Sequence, residues 1–116
     1  MFNYADMNVS RGTLGTPIAP SDTSPHTLYT VPQGRTARII QLSVCGLLGA
    51  DTTFTVSVIP FGGSSFDVYH SQTLYSVQGS AFILKGWELE SGASVTVSAG
   101  IANSIQFGLC GEEIQG

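Results

Sequence analysis

Apolar and polar positions alternate with a period of two along most of the chain after residue 26. Phe54, Val56 and Val58 share one side of a segment whose other side is Thr53, Thr55 and Ser57. Val95 and Val97 likewise stand opposite Ser94, Thr96 and Ser98, and Ile105, Phe107 and Leu109 opposite Gln106, Gly108 and Cys110. Successive side chains of a β-strand point to opposite faces, so each segment predicts a half-buried strand. Val, Ile, Phe, Tyr and Thr dominate these runs, as a pleated surface prefers. No segment has convincing helical spacing.

Further strands are expected at residues 27–31, 35–45, 66–70, 73–77 and 80–85. Trp87-Glu88-Leu89-Glu90 is expected to turn at Ser91-Gly92 into the Val95 segment as a hairpin. Pro32-Gln33-Gly34 reads as a type II turn, with proline fixing φ and glycine accepting a positive φ. Residues 35–45 are apolar on both sides: Ala37 and Ile39 with Gln41, Ser43 and Cys45, against Arg38 with Ile40, Leu42 and Val44. A strand of that kind is expected to be covered on both sides, by the opposing sheet and by an arm or a neighbouring subunit. About eight short strands with Gly-, Pro- and Ser-rich turns predict an all-β fold, a β-sandwich of jelly-roll or Greek-key type.

Residues 1–26 are expected to be an irregular N-terminal arm, because Gly12, Gly15, Pro17, Pro20 and Pro25 interrupt any long element, with residues 27–116 as the sandwich domain. The arm carries Met1, Phe2, Tyr4 and Met7, and its one basic residue is Arg11. Apolar groups on a tail either dock on a partner or fold back on their own domain. Phe2, Tyr4, Met7 and Arg11 are candidate interaction residues, with Trp87 in the domain.

Composition sharpens this picture. The 116 residues are 42% hydrophobic, enough for a core, but only 10% charged, against roughly 25% in average soluble domains. A subunit covered by neighbours can dispense with a charged surface; a Ser/Thr-rich monomer surface is the alternative. The net charge of −4, without a basic run, argues against binding nucleic acid. No stretch has the length of a membrane span or the pattern of a secretory leader. Cys45 and Cys110 are expected as a buried pair of reduced thiols. Neither they nor His26 and His70 have the close spacing of a zinc site.

Candidate chemistry is sparse. A hydrolytic site would need a Ser or Cys beside a His with an orienting acid. His26 lies in the arm and His70 at a strand end, and the closeness of Asp67 and His70 in sequence is a pairing common by chance. Glu88 and Glu90 fall on one side of a strand, which suits a solvated face better than a glycosidase pair, while Glu112 and Glu113 point to opposite faces. No metal, cofactor or enzymatic activity is expected. Trp87, Tyr75 and Tyr69 are the candidates for an aromatic sugar platform, against a half-buried packing role for Trp87.

The run Leu28-Tyr29-Thr30-Val31-Pro32-Gln33-Gly34-Arg35-Thr36-Ala37-Arg38-Ile39 resembles a pattern of small virion proteins of tailed bacteriophages. The stretches at residues 49–58 and 89–99 and the run Ile101-Ala102-Asn103-Ser104-Ile105 strengthen the likeness. Such proteins include capsid decoration, or cement, proteins, which sit as trimers outside heads and clamp neighbouring hexamers against internal DNA pressure. The resemblance implies a homotrimer with jelly-roll cores about a threefold axis, made in the host cytoplasm and residing in the virion. Its partners would be the major capsid protein or other virion subunits. Related domains occur at necks, tails and fibres, and a carbohydrate-binding β-sandwich there is the alternative reading.

Overall fold

The alternating segments fold as eight strands in two four-stranded antiparallel sheets, in a computed structural model that describes residues 9–76 and 80–115, with residues 80–86 described by backbone alone. Sheet A has the order β1-β8-β3-β6 and sheet B the order β2-β7-β4-β5. The strands are β1 (Val9–Ile18), β2 (His26–Thr30), β3 (Arg35–Gly46), β4 (Thr52–Ile59), β5 (Phe66–Leu74), β6 (Ser80–Leu89), β7 (Ser94–Ala99) and β8 (Ile105–Gln115). Strand 1 pairs with 8, 2 with 7, 3 with 6 and 4 with 5. The chain is thus one long double ribbon, closed by the β4–β5 loop and rolled so that β3 also meets β8 and β4 meets β7. This order is the jelly roll.

Both strands of the ribbon change sheet together, and a hydrogen bond ties each crossing. Asn103 N–H donates to the Pro20 carbonyl at 2.9 Å, Val31 N–H to Ala93 at 2.8 Å, and Gly92 N–H to Val31 at 3.1 Å. At the third crossing Ser76 N–H donates to Asp51 Oδ1 at 2.8 Å. The turn at Pro32-Gln33-Gly34 has the expected glycine, Gly34 at φ +82°. The turn at Ser91-Gly92 corrects the hairpin expectation: β6 lies in sheet A and β7 in sheet B. A local turn signal specifies a chain reversal but not which sheet the chain returns to.

The inner faces are the ones the alternation marked. Phe54, Val56 and Val58 of β4, Val95 and Val97 of β7, and Ile105, Phe107 and Leu109 of β8 are buried. Phe54 and Phe107 bridge the sheets edge-to-face at 6.3 Å between ring centres. β3 resolves its two-sided pattern by a bulge. Its register against β8 shifts between Ile39 and Gln41, so Ala37 and Ile39 before the shift, and Leu42 and Val44 after it, all point inward and are buried. The extra residue, Ile40, stands outward, 43% exposed. The expectation of a strand covered on both faces therefore fails, because one inserted residue swaps the faces.

Three further expectations are corrected. Residues 66–70 and 73–77 do not form two strands, since β5 runs unbroken from Phe66 to Leu74, and the segments expected at 80–85 and 87–90 join in one strand, β6, which ends at Leu89. Irregular pairing of β5 with β4 and a positive φ at Ser71 account for the mixed pattern there. Residues 1–26 are not irregular throughout, because Val9–Ile18 is β1, paired along β8. Gly12, Gly15 and Pro17 are tolerated since β1 is an edge strand and its register breaks between Leu14 and Ile18.

Candidate interaction surfaces

The outer face of sheet A carries a row of charges of alternating sign. Arg11 of β1 lies opposite Glu112 of β8, Glu112 opposite Arg38 of β3, and Arg38 opposite Glu88 of β6. Arg11 Nε is 3.3 Å from Glu112 Oε1, and Arg38 Nη2 is 3.2 Å from Glu88 Oε1. Pairs with at least one partner open to solvent, as both of these have, are each worth about 1 kcal/mol or less; what the row fixes is polarity, positive at the β1 edge and negative at the β6 edge. Glu113, one residue on, points the other way. Its carboxylate accepts from the Tyr29 hydroxyl at 2.5 Å and from Arg35 Nη1 at 3.2 Å. The opposite facing of Glu112 and Glu113 is as the strand parity required.

The sandwich is closed on one side and open on the other. Where β1 meets β2 the sheets touch: a Cβ at Gly15 would strike the Leu28 carbonyl. Between the edge strands β5 and β6 lies an apolar cleft with two adjoining parts of about 280 and 360 Å³, sharing Val58, Phe66, Glu88 and Leu89. Trp87 and Val68 line it, and Pro60, Glu90 and Ala93 close its end. Trp87 is half-buried against the core, as a packing residue, but with a face on this cleft. Phe61 and Phe66 stand exposed nearby, Phe61 at 73%.

The outer face of sheet B is built of hydroxyls. Thr55, Ser57, Thr96 and Ser98 line a groove of about 370 Å³ that also takes in Asp67. Ser57 Oγ donates to Asp67 Oδ1 at 2.6 Å, and the other carboxylate oxygen is 2.6 Å from His70 Nδ1. The Ser57 hydroxyl first, and then His70, hold the Asp67 carboxyl below its ordinary range. The carboxylate thus separates hydroxyl from imidazole, and the Ser57 proton goes to Asp67 rather than to a base that would make serine a nucleophile. In the β1–β2 loop Ser24 and His26 similarly hold Asp22, pulled from 3.8 down to about 2.

Of the residues singled out from sequence, Phe2, Tyr4 and Met7 lie outside the described residues. Arg11 and Trp87 are placed on opposite edges of sheet A. The aromatic candidates do not share an exposed platform: Tyr69 packs its ring 6.3 Å from Phe54, Trp87 is half-buried, and only Tyr75 is well exposed. The cysteines are free and not a buried pair, Cys45 being exposed and Cys110 intermediate. Cys45 lies opposite Gln106 and Cys110 opposite Gln41, roughly 13 Å of offset along the strands, too far for a disulfide. Both occupy outward positions that an apolar-looking run concealed. Among the described residues no three His, Cys, Asp or Glu side chains gather where they could hold a metal ion. The charged row was missed from sequence because it exists only once four strands are in register.

No protein-family model matches the chain, and no curated protein matches its sequence. Among solved structures, it is similar to a chain in the acidic stable capsid structure of Helicobacter pylori bacteriophage KHP30, with 16% identity and a TM-score of 0.54, over 91% of this chain and 86% of that one. It is also similar to a chain in the structure of infectious bursal disease virus Gt strain, with 9% identity and a TM-score of 0.51. There 93% of this chain corresponds to only 32% of the other, so it spans about a third of that larger protein. At these identities the likeness is one of fold.

Proposed function

We propose that this chain is a non-enzymatic structural protein of a phage virion, acting as a cement protein that binds the outside of the head as a homotrimer and stabilises it. The observation that carries the reading is the jelly roll itself, alike over nearly the whole of both chains to a component of a phage capsid structure. Composition supports it: with 10% charged residues, much of the surface suits neighbours better than open water. The distribution of apolar residues supports it too. Leu47, Leu48, Tyr75 and Ile101 are exposed where the loops after β3, β5 and β7 meet, and Phe61 and Phe66 at the opposite end.

An end of this kind docks by burying apolar area, the general source of affinity in lasting assemblies. The loop end with Leu47 and Leu48 is the surface assigned to the shell. Its backbone is pinned, because Leu47 N–H donates to the Ser104 carbonyl at 2.8 Å, so little ordering entropy opposes docking. The test is genetic. Heads of the encoding phage assembled without this chain should form but burst at lower temperature and after a smaller drop in external salt, because dilution weakens the screening of the packaged DNA, and purified protein should restore them. Heads of unchanged resistance would contradict the cement role.

A further inference from the structure

We propose that the β6 edge of one copy takes the β1 edge of a second copy, so that sheet A continues from chain to chain and the second copy closes the Trp87 cleft. The inference goes beyond the virion reading and stands on the fold alone. Every neighbouring pair in sheet A is antiparallel, so β6 and β1 run in opposite directions. A second β1 laid beside β6 by rotation, without inversion, is therefore again antiparallel and extends the ladder in its own pattern.

Charge fixes the register. The row ends at Glu88 on β6 and begins at Arg11 on β1; joining the edges sets Glu88 against Arg11 of the next copy and carries the alternation on unbroken. Arg11, already paired with Glu112, has further N–H donors for a second carboxylate. The same register places Trp87 opposite Gly12, whose missing side chain leaves open space: a Cβ built there meets nothing within 4 Å. An aromatic ring across from an edge glycine is a favourable cross-strand pair. The incoming strand also lies along the open side of the sandwich, over the cleft that Val68, Trp87 and Leu89 line.

Because two different edges meet, the contact is heterologous and runs on from copy to copy, closing as a ring where the rotation allows, rather than as an isologous pair. Glu88 and Arg11 can report on it covalently. Within one copy β1 and β6 are three strand spacings apart, about 14 Å, beyond the roughly 7 Å a disulfide spans. In a Cys45→Ser, Cys110→Ser background, the doubly substituted Arg11→Cys, Glu88→Cys chain should form disulfide-linked multimers on mild oxidation, while each single variant stays unlinked. Native mass should show three or more copies for the unsubstituted chain. Glu88→Arg, at a side chain 64% exposed, should give a folded monomer by circular dichroism and sedimentation. A monomeric unsubstituted chain, no linkage in the double variant, or linkage of Glu88→Cys to itself would each overturn the proposal.

Discussion

Single residues carry much of the local logic. Gly111 faces the bulge in β3, where a Cβ would run into the Arg38 carbonyl. Gly111→Ala should therefore cost about 1–3 kcal/mol as overpacking against backbone, seen as a lowered midpoint of chemical denaturation. Tyr29 is buried and donates to Glu113. Burial first, and then the Glu113 carboxylate, raise its phenol above the ordinary 10.0. A raised pKa favours the neutral, protonated form, so this contribution is complete below pH 10 and is lost as pH rises further. Tyr29→Phe should cost about 1–3 kcal/mol, the cost of a hydrogen bond to a charged group, and should flatten the alkaline fall in stability. Asp22 has the opposite sign: its lowered pKa, about 2 against 3.8, gives a contribution present above pH 4 and lost as pH falls toward 2. Carbon-detected titration should place its midpoint near 2, and a midpoint near 3.8 would contradict the Ser24 and His26 contacts. At this scale strand parity read Glu112 and Glu113 correctly, while Cys45 and Cys110 were misplaced because a small apolar residue in a strand does not announce its face.

Among the elements, β3 is decisive. Its bulge lets Ile39 and Leu42, three apart, both point inward. Deleting Ile40 should remove the bulge and restore strict alternation with Ile39, Leu42 and Val44 still inward, so the protein should still fold, and an unfolded variant would show that the bulge itself is required. Ile40→Ser, at an exposed position, should stay within about 0.5 kcal/mol of the parent. Thermal denaturation of the two variants separates the bulge from the side chain. Strands with clean alternation, β4, β7 and β8, were legible because one buried and one wet face impose period two. β1 was not, because at an edge only Leu14 is buried among ten residues and glycine and proline read as breakers. The β6–β7 connection was misread for another reason: turn chemistry is local, whereas crossing between sheets is decided by the pairing of the whole ribbon.

For the whole molecule, the scarcity of charge and the exposed apolar ends are one fact seen twice. Polar cover on the sheet faces comes from hydroxyls on B and paired charges on A, leaving Leu47, Leu48 and Ile101 uncovered at one end. Leu48→Asp, at a side chain already in water, should leave the thermal midpoint nearly unchanged and weaken attachment to heads at least tenfold, read by titration of labelled protein. The jelly roll was legible in strand number and spacing; the strand order was not, since it depends on contacts between residues as distant as Val9 and Ile114. The central claim, a cement on the outside of a phage head, is tested most directly by co-sedimentation of purified protein with isolated heads that lack it. Saturable binding at a fixed number of copies per head, lost in Leu48→Asp, is the predicted result. Protein that stays in the supernatant at every concentration would contradict the account.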